Sequence, residues 1–368
     1  MSIKKTIINT LRNSIVQRKI AQERAHEEFL DLKHVPEAFH SALDEAEQGR
    51  VKALWGAITP NISFKEYEVY KHVRGFDERF LSHELYLPLV AHALNDYHYT
   101  KFFEDKGLLG NICKGGLNYP YCVVRYINGD CYDNDMHQIS KAEANARCHQ
   151  EGLLIVKPSA DGYGGHGVKK FNGGEHAQLI EEVEQMGYKK FVVQRCIKQH
   201  AVMAQFNDSS LNTFRIETLY LNGKATCHSI ILRVGPKGSL VDNLAAGGIG
   251  VGVDMDGSLA DVGYTLSLEK LDTFNGVVLK GKKFDFMPQL VAEILQAHQD
   301  TYPLCKFIGW DVCIDEEQGP VIIELNSSQP GIFVEQMCTG PIFGDRTEEV
   351  IEYCKNRAFV YNRSLFSY

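Results

Sequence analysis

The sequence predicts an α+β protein, with a mainly helical N-terminal region followed by two units built around mixed sheets. Three observations lead there. The residues before Leu94 are rich in Glu, Lys, Ala and Leu and carry few glycines, a composition that favours helices. Beyond Gly107, short runs of β-type residues alternate with helical stretches. Towards the C-terminus, two pairs of β runs are each separated by turn residues, as in hairpins.

Taken in order, the helical region is interrupted at Pro36 and Pro60. A further helix is expected over residues 95–105, ended by Gly107. YCVVRYI reads as a strand, residues 140–151 as a helix, and LLIVKP as a buried strand. A helix over residues 175–186 then leads into the strand FVVQRCI. LNTFRIETLYL and ATCHSIILRVG flank Asn222, Gly223 and Lys224, and Asn-Gly between β runs is a strong hairpin signal. After a glycine-rich stretch come a helix over residues 286–300 and a second hairpin, FIGWDVCID and PVIIELN around EEQG. No internal repeat or low-complexity linker divides the chain. The expected units are residues 1–93, 94–195 and 196–368.

The 368 residues suffice for two or three packed units, and 44% hydrophobic with 23% charged residues indicates a globular protein. A formal net charge of −8 gives no basic footprint for nucleic acid. Ten cysteines include no CxxC pair, which argues against a zinc ribbon or a thioredoxin-like site. Free thiols and the lack of a signal peptide predict a reduced, cytoplasmic setting. No apolar run approaches the roughly 18 residues of a membrane span. Ile3, Ile7, Leu11 and Ile15 recur at helical spacing among Lys4, Lys5, Arg12, Arg18 and Lys19. Two readings are open for residues 1–24: peripheral contact with the inner face of a membrane, or packing on the protein's own domain with a solvated basic face.

The second hairpin is the most informative feature. If EEQG closes it symmetrically, Asp311 lies opposite Glu324 and Gly309 opposite Asn326, with Asp311, Glu324 and Asn326 on one face. Like charges so placed destabilise a sheet unless something compensates. Mg²⁺ does so with hard oxygen ligands, leaving other positions to water and phosphate. A slipped register, or one carboxylate turned to solvent, is the alternative.

The segment LLIVKPSADGYGGHGV ends a strand at Lys157 and then carries Gly162, Gly164, Gly165 and Gly167. Glycine amides approach anions closely, and a lysine at the strand end supplies a point charge for phosphate. An ordinary surface turn has the same composition. The spacing is neither a Walker A nor a Rossmann fingerprint.

Together, the Lys-Pro strand, the glycine loop, the strand with Gln194, Arg215 in NTFRIET and the Asp311…Glu324-Leu-Asn326 set resemble the ATP-grasp superfamily over about residues 94–340. VDNLAAGGIGVGVDMDG and LND at Leu94–Asp96 resemble its sugar-transfer-associated branch. The resemblance implies two α+β subdomains gripping ATP. Lys157 would contact its phosphates and the Gly162–Gly167 loop would close over them. Gln194 and the chain at Cys196 and Ile197 would hold adenine, while Asp311, Glu324 and Asn326 would bind Mg²⁺. Arg215, with Lys157, would serve catalysis by stabilising phosphate or an acyl-phosphate. Lys101 is a looser match to a further ATP contact. Gly247, Gly248 and Asn243 either shape an acceptor pocket or form a plain glycine-rich connection between strands.

Two departures stand out. Many ATP-grasp ligases carry an arginine two residues before the first metal carboxylate, where this chain has Gly309. Arg215 or Arg233 would supply that charge, and a two-residue Asn-Gly hairpin sets them on opposite faces, so both can serve only with a bulge or a longer loop. His166 also occupies a loop position where a more basic side chain is expected. The resemblance implies an ATP-dependent carboxylate–amine ligase in cell-surface polysaccharide biosynthesis. Its substrates would be a small-molecule carboxylate and an amine, such as a sugar acid and an amino compound. A small-molecule kinase or a non-catalytic nucleotide-binding scaffold would use the same nucleotide site.

Overall fold

The computed structural model describes residues 3–113, 116–160, 166–239, 242, 244–355 and 357, with side chains from Gln17 onward. The first sheet comprises Cys122–Ile127 (β1), Asp130–Tyr132 (β2), Gln138–Ile139 (β3), Leu153–Pro158 (β4), Lys169–Asn172 (β5) and Lys190–Arg195 (β6). Their order is β3-β2-β1-β6-β4-β5, with every pairing antiparallel. Alternate residues of β1, β4 and β6 pack on the helices Lys141–Gln150 and Leu179–Gln185 through Tyr126, Leu154, Val156, Ala144, Ile180 and Phe191. Ser140 caps the first of these helices by accepting from Glu143 N at 3.1 Å. The second helix is shorter than expected, because residues 173–175 form a separate 3₁₀ turn.

The second sheet contains Thr213–Leu221 (β7), Lys224–Val234 (β8), Ile249–Val253 (β9), Leu259–Tyr264 (β10) and Lys270–Leu271 (β11). Thr273–Phe274 (β12) and Val277–Val278 (β13) form a small separate pair, and Phe307–Asp315 (β14) with Gly319–Asn326 (β15) complete the larger sheet. Its order is β11-β10-β9-β8-β7-β14-β15. Helix Met287–Thr301 covers one face through Leu290, Val291 and Ile294. Helix Phe333–Thr339 lies against the other. It comes so close that a Cβ on Gly252 would stand 2.9 Å from Cys338 O, and one on Gly250 2.8 Å from Val334 Cγ1. Two glycines of the sequence's glycine-rich stretch thus serve helix–strand packing.

Both hairpins contain a bulge. In the first, Asn222 (φ 52°) and Gly223 (φ 76°) form the two-residue turn between paired Leu221 and Lys224. The register then shifts: Glu217 opposes Ser229 but Thr218 opposes Cys227, leaving His228 extra. That insertion brings Thr213 opposite Arg233 and sets Arg233 on the same face as Arg215. In the second hairpin Asp315 opposes Gly319, so three residues form the turn, and Ile323 is inserted between the Glu324 and Ile322 pairings. The two offsets cancel. Asp311 lies opposite Glu324 and Gly309 opposite Asn326.

The N-terminal helices Ile3–Leu32, Glu45–Trp55 and Lys65–Arg74 join the second sheet in one core, with Trp55, Tyr70 and Leu85 beside Leu219, Phe307 and Phe333. A capping box of Asp44 and Glu47 starts the second helix. Of the basic residues at the start of the first helix, Arg18 and Lys19 are exposed, while Ile20 is buried and Arg24 pairs with Glu84 at 2.5 Å. The side chains of Ile3, Ile7, Leu11 and Ile15 lie outside the described residues. Among those described, no helix is long and apolar enough to cross a membrane. The helix expected over residues 95–105 is two short turns, Tyr97–Thr100 and Lys101–Glu104. Asn95 stays extended because its side chain is bonded into β14: it donates to Phe307 O and Ser327 O at 2.5 and 2.6 Å and accepts from Lys306 N at 2.6 Å.

Candidate active site

Between the sheets lies a cavity of about 760 Å³. From the first sheet, Lys157 ends β4 at its wall and Gln194 reaches it from β6. Cys196 and Ile197 follow β6 and also line it. From the second sheet come Arg215 on β7, Arg233 on β8, Asp311 on β14, and Glu324 and Asn326 on β15. The chain between the sheets is pinned to the second hairpin: Lys198 N donates to the Asp315 carboxylate at 3.1 Å, and His200 N to Ile314 O at 2.8 Å.

Asp311 is the centre of an ionic network. Arg215 Nε lies 2.6 Å from Asp311 Oδ1, and Arg215 Nη2 3.2 Å from Oδ2. Arg233 Nη2 lies 3.1 Å from Oδ1, a contact that the His228 bulge makes available. Burial alone would raise the Asp311 carboxyl, but Arg215 and Arg233 outweigh it and hold the group at about 2. Asn326 donates to Asp311 Oδ2 at 3.3 Å. Gly309 has no side chain to oppose this arrangement. A Cβ there would meet Arg215 Cδ at 3.2 Å and Pro330 Cβ at 3.1 Å. Arg215 therefore runs over the place where the expected arginine side chain would stand.

Two lysines face this group. Burial and the neighbouring Lys106 lower the Lys157 ammonium to about 8. Lys106 is buried and forms an ion pair with Glu324 Oε1 at 2.8 Å, while its backbone N–H donates to Ser159 O at 2.8 Å. Lys101 instead pairs with Glu104 at 3.0 Å. Lys106, not Lys101, is the lysine of this segment that lines the cavity. Lys106 stands in a non-periodic loop, EDKGLLG, and no local pattern marks it. Gln194 lines the cavity, yet its amide nitrogen also donates to Lys106 O at 3.3 Å and fixes that loop. The Cys196 N–H is taken by Leu153 O at 3.0 Å.

Of the glycine loop, Gly162, Gly164 and Gly165 lie outside the described residues. Gly167 has φ 77°, and its carbonyl accepts from Tyr188 Oη at 3.0 Å. His166 lines the cavity. Asn243 also lies outside the described residues, whereas its neighbours Asp242 and Leu244 line the cavity. Gly247 is exposed with φ 92°. Asp242 accepts a hydrogen bond from Thr213 Oγ1 and lies 3.6 Å from Arg233 Nε.

The donor set suits a magnesium ion shared with a ligand. Among the described residues no cluster of three or more His, Cys, Asp or Glu forms a complete metal cage. Two opposed carboxylates and an amide provide hard oxygens for Mg²⁺, which takes few protein ligands when phosphates supply the others.

A sequence profile for the sugar-transfer-associated ATP-grasp family matches residues 90–352. The chain belongs to that family. ATP-grasp enzymes are mostly ligases, and the fold is the ATP-grasp α+β arrangement. A comparison with curated proteins gives no match. A biotin carboxylase in complex with β-γ-ATP from Campylobacter jejuni is similar at 13% identity and TM-score 0.43, over 69% of this chain and 46% of that one. An L-amino acid ligase from Bacillus licheniformis is similar at 13% identity and TM-score 0.36, over 84% and 61%. A D-alanine–D-alanine ligase from Bacillus anthracis complexed with ATP gives 11% identity and TM-score 0.34, over 72% and 66%. The family member thus spans about half the length of the carboxylase (46%).

Proposed function

We propose that this family member is an ATP- and Mg²⁺-dependent carboxylate–amine ligase working through an acyl-phosphate. One observation carries the reading: opposed Asp311 and Glu324, with Asn326, face Lys106 and Lys157 across a single cavity. In it, Asp311, Glu324 and Asn326 hold the metal, which supplies neutralisation of phosphate charge. Lys157 and Lys106 bind phosphate oxygens, and the glycine loop at residues 162–167 covers them. Gln194, Cys196 and Ile197 hold adenine. The acceptor carboxylate takes the γ-phosphoryl group as ADP leaves, and an amine then displaces phosphate with loss of a proton. Arg215 stabilises the charge that develops on the transferred group, which needs positioning and electrostatics more than a protein nucleophile.

The chain divides in this reading into residues 1–93, a lid-bearing unit at 94–195 and a metal-bearing unit at 196–368. The family's association with sugar transfer supports a sugar acid and an amino compound as substrates, in polysaccharide assembly. Ten free cysteines favour a reducing cytoplasm. Incubation with Mg-ATP, uronic acids, amino acids and small amines, followed by mass spectrometry, tests the reading. Expected are substrate-dependent ADP release and a condensed product, both lost in Asp311→Asn/Glu324→Gln. A phosphorylated acceptor without condensation would make the protein a kinase, and ATP binding without turnover would make it a scaffold.

A further inference from the structure

Behind Arg215 the same face of β7 carries a second carboxyl group. Alternation sends Ile216 and Thr218 to the opposite face, where Thr218 Oγ1 meets His298 Nδ1 at 2.7 Å, and brings Glu217 to the side of Arg215. Glu217 is fully buried between Gly309 on β14 and Ser229 on β8. Neither of its carboxyl oxygens has a hydrogen-bond partner. Over this face lies the helix Phe333–Thr339, drawn in by Gly250 and Gly252. It delivers the buried Glu335, whose Oε1 lies 4.0 Å from Arg215 Nη1.

We infer that Glu335 is a positioning residue which, ionised beside a buried neutral Glu217, holds the Arg215 guanidinium against the back wall of the site. The inference rests on the role proposed above for Arg215. A guanidinium tied to Asp311 alone would follow that carboxylate whenever it rearranged around a metal and phosphate. Glu335 gives it a second anchor. Arg215 Nε and Nη2 bond Asp311, and Nη1 lies on the Glu335 side, 4.0 Å from Oε1.

The protonation assignment follows from counting charges. The groups facing Glu217 are Arg215 on its own strand, Arg233 and Cys227 on β8, Asp311 on β14, Glu335 on the covering helix, and Tyr86. Asp311 and Glu335 already answer the two arginines, and Asp242 adds a third carboxylate beside Arg233. A further carboxylate with no hydrogen bond would be an uncompensated buried charge, and protonation removes that cost. Burial, then Glu335, push the Glu217 carboxyl well above the usual range despite Arg215. Burial raises the Glu335 carboxyl above its usual range as well, with Arg215 the strongest influence in the other direction.

The test has two parts. Infrared spectroscopy of the full chain at neutral pH should show, beside any signal from the buried Glu66, a carbonyl-stretch band of a buried protonated carboxyl that is missing in Glu217→Gln. Absence of the band, or its survival in that variant, would overturn the assignment even in an active enzyme. The second part follows Mg-ATP turnover in Glu217→Gln, Glu335→Gln, Arg215→Met and the Glu335→Gln/Arg215→Met double variant, with thermal melts to check folding. Glu335→Gln should lower kcat about tenfold or more while KM for ATP stays within about twofold, the mark of an interaction used in the transition state. The double variant should be no slower than Arg215→Met, because residues acting through one another are non-additive. Glu217→Gln should keep kcat within about threefold, since it matches the neutral acid in shape and charge. Additive losses, or a loss in Glu217→Gln equal to that in Glu335→Gln, would overturn the proposal. If Glu335→Gln does not fold, the infrared result on the wild type and Glu217→Gln decides. A protein with the band but no ATP turnover would defeat the ligase reading and leave the buried pair standing.

Discussion

Gly309 and Arg215 share one volume, since a Cβ at position 309 would lie 3.2 Å from Arg215 Cδ and 3.1 Å from Pro330 Cβ. Gly309→Ala should therefore push the guanidinium off Asp311. We expect a stability loss of about 1–3 kcal/mol, as for overpacking elsewhere, in chemical denaturation, together with a fall in ATP turnover. Unchanged turnover would mean that Arg215 does not need this path. Lys157 makes a second residue-scale prediction. Its ammonium, lowered to about 8 by burial and Lys106, is charged below that pH and neutral above it. Mg-ATP affinity in calorimetry should thus weaken as pH rises through about 8, and Lys157→Arg should remove that limb because arginine stays protonated. The stability sign is the reverse. Between about 8 and the ordinary lysine value the unfolded chain holds the extra proton, so this group's contribution to stability rises with pH.

At the scale of elements, the site depends on two bulges and one closely packed helix. The hairpins were legible from Asn222-Gly223 and EEQG, and so was the pairing of Asp311 with Glu324. The expected route to that register was a two-residue turn, whereas the chain reaches it through a three-residue turn and the inserted Ile323. A bulge is set by twist and by what packs on each face, which no local residue pattern encodes. In the sequence, a bulge or a longer loop was only a condition for both arginines to serve, and nothing marked His228 as the inserted residue. Lys106 was illegible because its position depends on Gln194 and Ser159, distant in the chain. The glycines at 250 and 252 were only part of a glycine-rich stretch in the sequence, and their use became clear with the helix above them. Gly252→Ala places a methyl 2.9 Å from Cys338 O, a backbone atom that moves only with its helix. It should cost about 1–3 kcal/mol and lower activity through Glu335. A Gly252→Ala enzyme with wild-type melting and turnover would show that the helix has room to move.

At the scale of the whole molecule, the N-terminal helices are part of the wall behind the site. Gln336, next to Glu335, accepts from Leu81 N at 3.0 Å and donates to Leu81 O at 2.8 Å and to Tyr70 Oη at 3.0 Å. His83 Nδ1 bonds Asp31, and its Nε2 accepts from Ile332 N at 3.2 Å, on the segment that follows Asn326. The apolar core runs through the same boundary, from Trp55, Tyr67 and Tyr70 to Phe307, Ile332 and Met337. Removing residues 1–93 would strip that cover and leave buried donors and acceptors such as those of Gln336 without partners, at about 1–3 kcal/mol each. The remaining fragment should lack cooperative melting and bind a hydrophobic dye, as loosely packed states do. The full chain should unfold these helices and the second sheet in one calorimetric transition. A soluble 94–368 fragment that melts sharply and binds Mg-ATP as the full chain does would show that the helices are an accessory. Gln336→Leu gives the finer version, because it removes the polar bridge while keeping the volume. It should lower the temperature of that shared transition, and a separate earlier melt of the helices would mean that Gln336 alone had joined them to the sheet.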